Sequence, residues 1–190
     1  SQPSLLAFLR SQNIEVEVVP QYSNVNLFLR KGVDACSVMV YNEYDMIYLA
    51  GVDHSEMTLF RLSDYGVHFP EDGLYTLEST LSKDPETAQA MAEATIEGWA
   101  YARDNPQETL AVIMRYVRAG QLPGNAAHMR WMLRTMVESV FPGPAGARVP
   151  RTLSREQFES CAGRMREAGI IRSVPPYEQV IAGEETGHAP

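Results

Sequence analysis

Cysteine is nearly absent: Cys36 and Cys161 are the two in 190 residues. They form no CxxC pair and no cysteine–histidine spacing, so neither a disulfide framework nor a structural zinc site is indicated. A single bridge between them stays open, with buried free thiols as the expectation. Long apolar runs are missing too, and none approaches the roughly 20 residues that a bilayer-spanning helix needs. Positive charge is in short supply, with 16 Lys and Arg against 24 Asp and Glu and a formal net charge of -8. That balance repels phosphate backbones and anionic lipid surfaces, which argues against a nucleic-acid partner. There is no GxGxxG, GxxxxGK[ST], HExxH or GxSxG, so the usual signatures of dinucleotide, nucleotide, zinc-protease and esterase chemistry do not occur. No internal repeat or low-complexity tract is visible. The chain opens at SQPSLLAFLR, without an initiator methionine, a basic leader or a signal-type apolar run. This leaves two explanations, a processed mature protein or an internal piece of a longer one.

What is present is an ordinary globular composition, 45% hydrophobic, with a change of character part-way along. Residues 3–12 read as a helix, and Ile14 to Val19 then alternate as IEVEVV, a strand pattern stopped by Pro20. Ser23-Asn24 provide a cap for a helix running to Lys31, with Gly32 at its stop position. Val33 to Val40 is nearly continuous in apolar residues, the composition of a strand covered on both faces of a parallel sheet. Tyr44 to Leu49 begins another helix, and Met57 to Leu62 is a third strand candidate. SDYGVHFPEDGLYTLES, residues 63–79, reads as a crossover loop followed by a strand at 73–77.

Beyond it the pattern is helical. Asp84-Pro85 sets a cap before a proline at the first helical position, and Ala88, Met91, Ala92, Thr95, Trp99 and Ala102 follow at helical spacing. Asn105-Pro106 repeats the device, with Glu108 placed to reach back to the cap. Met129, Met132, Leu133, Met136 and Val140 share one face of a helix over 125–140, and Ser154-Arg155-Glu156-Gln157 opens another. FPGPAGARVP between them reads as an irregular linker, and 183–190 as a frayed tail. The strand, helix, strand order predicts an α/β fold, a small parallel or mixed sheet lobe followed by a helix-rich C-terminal part.

Three stretches together carry a family resemblance: GVDACSVMVYNEYDMI, LSDYGVHFPEDGLYTLES and DPETAQAMAEATIEGWAYARDNPQETLAVIM. They resemble the middle and C-terminal parts of solute-binding proteins of ABC importers, those for thiamine pyrimidine precursors and aliphatic sulfonates. The resemblance covers Gly32 to about Met114 and extends more loosely to the end. It implies a type 2 periplasmic-binding-protein fold of two α/β lobes with a small-molecule ligand in the cleft between them. It also implies an ABC permease as partner and a periplasmic or otherwise extracytoplasmic location. Residues 1–62 would belong to the second lobe, 63–182 to the returning half of the first, and 183–190 to a tail. Such proteins usually begin with a further stretch that has no counterpart here. A missing N-terminal segment, or self-association through surfaces it would have covered, is therefore expected.

The question of function centres on YNEY, where the apolar run 33–40 ends in polar residues. Tyr41, Asn42 and Glu43 stand in the usual ligand position of an open α/β sheet, beyond a strand C-terminus. Glu43 is suited to accept hydrogen bonds from an aminopyrimidine, and Tyr41 and Tyr44 to stack on its ring. The competing reading makes them a solvated helix start with Asn42 as cap and the tyrosines as packing residues. Tyr22, Ser23 and Asn24 either bind an anionic group or simply cap the helix that follows. Asp64, Tyr65 and Gly66 are hinge candidates in the crossover, where Gly66 can absorb backbone change. His54, His68, His128 and His188 have no spacing that suggests a metal site and are expected on the surface or in loops. The methionine stripe 129/132/136 reads as core filler, not as a soft-metal site.

No catalytic residue, metal or cofactor is assigned from the sequence. Two other classes share the architecture. One is a pyrimidine-synthase-like enzyme, which carries a cysteine-rich run at the crossover where this chain reads GVHFPEDGLY. The other is the ligand-sensing domain of a transcription regulator, which would need strands where this chain has four consecutive helices.

Overall fold

The computed structural model describes residues 2–22, 24–70, 73–143 and 152–181. Most of the linker FPGPAGARVP, the tail 183–190 and Ser23 lie outside the described residues. Nine helices occur among those described: α1 Gln2–Ser11, α2 Asn26–Leu29, α3 Glu43–Leu49, α4 Glu78–Lys83, α5 Pro85–Asp104, α6 Pro106–Ala119, α7 Ala126–Val140, α8 Arg155–Glu167 and α9 Tyr177–Val180. Two 3-10 turns, His54–Glu56 and Leu62–Tyr65, complete the regular structure.

The expected α/β architecture is not what forms. No strand and no sheet occur among the described residues, and 14–19, 33–40, 57–62 and 73–77 form none. A strand exists only through its ladder to a neighbour. Outside the helices, every described backbone hydrogen bond joins residues within six positions of each other. The alternation that predicted a half-buried strand is genuine in the sequence, but its apolar side has no cover. Ile14, Val16, Val18 and Val19 are 43–52% exposed.

The chain divides into two compact units. The first comprises residues 1–20, 58–72 and 150–190. In it α1 packs on α8 and on the turn Leu62–Tyr65, and α8 packs on α9. Phe8 meets Tyr65 edge-on at 5.0 Å between ring centres. The start of α8 follows its local signal, since Ser154 and Gln157 form the reciprocal capping box. Tyr177 is buried, donates its hydroxyl to the Leu153 carbonyl at 2.5 Å, and stands edge-on to Phe158. Arg155 lies over the Tyr177 ring and pairs with Glu178.

The second unit comprises residues 21–57 and 73–149. Its centre is α5, α6 and α7 packed on one another, with α3 against α7. Asp84 caps α5 by accepting from the Thr87 amide at 3.0 Å, and Pro85 occupies the first turn. α6 starts at Pro106 without a side-chain cap, because Asn105 donates to the Tyr101 carbonyl and Glu108 bonds the Tyr101 hydroxyl. The expected reach of Glu108 back to the cap is thus replaced by a bond to the preceding helix. Met129, Met132 and Met136 are half-buried around the buried Leu133, whereas Met91 on α5 is exposed.

Both cysteines are free and half-buried. Burial pushes the Cys36 thiol up, and the charge of Glu43 adds to the effect. Burial likewise raises Cys161, against the opposing pull of Arg164, and its thiol donates to the His68 carbonyl. The thiolate is the reactive form, so a raised pKa means slow chemistry near neutral pH. We expect both thiols to alkylate more slowly at pH 7 in the folded chain than in urea, with the gap closing as pH rises beyond the ordinary thiol value of about 8.5. Mass spectrometry of iodoacetamide time courses checks this; equal folded and unfolded rates at pH 7 would refute it.

Candidate functional site

The polar stretch 41–44 closes a tight turn at the start of α3. The backbone amides of Asn42 and Tyr44 both donate to the Met39 carbonyl, at 3.0 and 3.3 Å. Glu43, the first residue of α3, folds its carboxylate back over this turn. Its Oε2 accepts from the Met39 amide at 2.9 Å, and its Oε1 accepts from Asn42 Nδ2 at 3.2 Å. Asn42 does not cap the helix with its side chain. Its amide nitrogen donates to Glu43, and its oxygen faces α7.

α7 supplies two residues to the turn. Asn125 caps it by accepting from the His128 amide at 2.8 Å, which sets His128 in the first turn. The imidazole Nδ1 lies 2.7 Å from Asp45 Oδ2, and Nε2 lies 3.0 Å from Asn42 Oδ1. One turn on, Trp131 Nε1 donates to the Val40 carbonyl at 2.9 Å. Residues three apart share a helix face, so α7 grips the turn at two points with one face. Asp45 and His128 are 5% and 9% exposed. Buried polar groups of this kind persist when each finds a partner, and here each does.

An aromatic group adjoins the turn. Tyr44 stacks on His54 with 4.7 Å between ring centres and 13° between planes. Tyr48 approaches His54 from another angle at 4.6 Å, and Trp131 stands 6.1 Å from it and 6.4 Å from Tyr44. His54 Nε2 is enclosed there without a hydrogen-bond partner. Arg134 covers a Trp131 face at 4.8 Å.

The other candidate positions are placed as follows. Tyr41 is half-buried. Tyr22 is 82% exposed, and Asn24 Oδ1 accepts from the Asn26 amide at 3.0 Å at the start of the four-residue α2. Gln21 Nε2 donates to the Ser37 carbonyl at 2.9 Å, tying this corner to the segment 33–40. In the first unit, Asp64 and Tyr65 lie in the 3-10 turn that Gly66 terminates at φ 70°, a left-handed conformation that favours glycine.

Sequence reasoning missed Asp45, His54, His128 and Trp131. The two histidines were expected on the surface or in loops, but His128 is buried and His54 half-buried in the aromatic group. His68 is exposed in its loop, and His188 lies outside the described residues. The helical spacing over 125–140 placed residue 128 near a helix start; nothing near it in the chain signalled that Asp45 lies against its ring.

Chemically, the arrangement resembles two-thirds of an acyl-transfer triad, a histidine oriented by a buried aspartate. The place where such a triad has its nucleophile is filled here by the Asn42 amide oxygen. The turn holds an oriented carboxylate, an amide and a tyrosine ring stacked on His54. Among the described residues, no group of three or more His, Cys, Asp or Glu side chains could hold a metal ion, and no helix is long and apolar enough to cross a membrane.

Comparison with known proteins locates this turn within a recognised family. No curated protein and no solved structure matches the chain. A family model described as NMT1/THI5 like matches residues 2–109, a range that includes the whole of 39–47 and the crossover 63–79. With more than half of its length matched, and with the GVDA, YNEY and DYG stretches inside the match, the chain belongs to the NMT1/THI5-like family.

Proposed function

We propose that this chain binds a small, polar, planar nitrogen heterocycle at residues 41–44, as part of the solute-binding component of an ABC importer. The family consists mainly of small-molecule binding proteins and also contains a pyrimidine synthase, so binding without catalysis is part of the proposal. The observation that carries it is the state of Glu43. Each carboxylate oxygen accepts one bond from within the turn, which fixes the group and leaves a further acceptor site on each. A ligand with adjacent N–H donors, such as a formylaminopyrimidine, matches that acceptor pair, and Tyr41 and Tyr44, the latter with one face on His54, are the neighbouring rings in the chain proposed to stack on it.

The same proposal includes Tyr22, Ser23 and Asn24 as a second contact corner, Asp64, Tyr65 and Gly66 as a hinge, and the lobe roles of 1–62 and 63–182. It also includes an ABC permease as partner and an extracytoplasmic location.

Small molecules released from the natively purified protein and weighed by mass spectrometry would name the ligand. Titration calorimetry with it then tests the site. Glu43→Gln should keep the fold, lose one of the two turn bonds because its NH2 cannot accept, and weaken binding by about 1.5–3 kcal/mol, the range for a hydrogen bond to a charged group. Unchanged affinity would reduce the turn to an ordinary helix start.

A further inference from the structure

We propose that His128, held by Asp45, is a positioning residue that sets the ligand selectivity of Glu43 through the Asn42 amide. The inference rests on the binding function proposed above and adds a residue which that function does not contain. Four side chains from two distant parts of the chain form one line: Asp45, His128, Asn42 and Glu43, with contacts of 2.7, 3.0 and 3.2 Å.

The line has a direction. A side-chain amide can sit in two orientations related by a flip, and only one is compatible with both neighbours here. Glu43 Oε1 accepts, so it requires the Asn42 NH2; the Asn42 oxygen then faces His128 Nε2 at 3.0 Å and accepts from it when that nitrogen carries its hydrogen. Asp45 Oδ2 at Nδ1 anchors the other side of the imidazole, so the ring cannot turn away from Asn42 without losing a buried partner. With Asn42 on one carboxylate oxygen and the Met39 amide on the other, the plane of Glu43 is determined. Remove the Nε2 donor and the amide is free to turn, so Glu43 loses one of its two fixings. It can then swing towards any donor, and discrimination falls more than affinity.

A merely structural role would be to fill space between α3 and α7 and tie the turn to α7. Trp131 already does the tying through Val40. The two roles separate by exchanging one ring nitrogen at a time. His128→Gln places an N–H donor near the Nε2 position and keeps the Asn42 contact. His128→Asn reaches only the Nδ1 position and keeps the Asp45 contact.

The test uses the whole chain with formylaminopyrimidine as probe and, as comparison, the same ring with its exocyclic amine replaced by methyl. The ratio of their affinities should be near wild type in His128→Gln and fall about tenfold in His128→Asn, the equivalent of one hydrogen bond of about 1.4 kcal/mol. Without ligand, the two Asn42 side-chain amide protons should keep their dispersed NMR positions and slow exchange in His128→Gln and lose them in His128→Asn. A wild-type ratio in His128→Asn, or equal loss in both variants, overturns the inference. Should neither variant fold, Asn42→Ala breaks the same line from its other end and must reduce the ratio as far as Glu43→Gln does; an unchanged ratio there also overturns it. Failure of the binding function looks different. Glu43→Gln would then leave the probe's affinity untouched, while the Asn42 amide protons still report whether the line from His128 exists.

Discussion

Asp45→Ala should destabilise the second unit by about 3–5 kcal/mol, the cost of removing one member of a buried, hydrogen-bonded polar pair and leaving the other without its partner. Asp45 sits in the first turn of α3 with its carboxylate 2.7 Å from the His128 ring, and both groups are almost fully shielded from water. Taking away the carboxylate leaves an imidazole nitrogen buried without its partner. It also removes an acidic group from the N-terminal end of α3, where the helix dipole favours negative charge. Asp45→Asn keeps an oxygen facing the ring and should cost much less, about 1 kcal/mol. Urea unfolding followed by circular dichroism and, in a Trp99→Phe background, by Trp131 fluorescence as a reporter of the turn measures both. A loss below about 1 kcal/mol in Asp45→Ala would mean that water reaches His128 readily, and that the pair contributes little.

The second large effect is self-association. Residues 14–19 combine a strand sequence with apolar side chains that are about half exposed, and no described backbone hydrogen bond involves residues 15 to 19. Leu74, Tyr75 and Leu77 are still more exposed on a second segment without regular structure. Unsatisfied strand backbone beside uncovered apolar surface is a template for pairing with another chain, and a second copy offers an identical strand. Sedimentation velocity should therefore show the average mass rising with protein concentration. Val16→Lys puts a charge in the middle of the alternating segment and should shift the distribution back towards monomer. A single monomeric species across concentrations, unaffected by Val16→Lys, would show that these segments are protected in solution.

That same segment marks where sequence reading and structure part. IEVEVV and VDACSVMV were legible as strands because strand propensity and alternation are local. Whether they become strands depends on a neighbour with matching register, and no described segment provides one. The helices were legible for the opposite reason. Asp84-Pro85, Asn125 and the Ser154–Gln157 box each satisfy an orphan backbone donor within three residues, so the signal and its structural partner lie in the same stretch of chain. Family membership was legible on similar grounds, since GVDA, YNEY and DYG are short contiguous strings.

The candidate site was half legible. The amino-acid sequence alone placed a polar, aromatic stretch at the end of the apolar run at residue 40 and a helix from Tyr44 onward, one residue after its observed start at Glu43. It also placed a helix over 125–140, which forms as Ala126–Val140. Only the tertiary structure decided that His128 faces Asp45 and Asn42, 83 and 86 positions away, and that Trp131 reaches the Val40 carbonyl across 91. A histidine with no charged neighbour in sequence reads as solvent-exposed, because a buried one needs partners and none is nearby in the chain. Packing α3 against α7 supplies those partners at a distance where periodicity, capping and turn chemistry have no reach, and burial then makes the pairing obligatory.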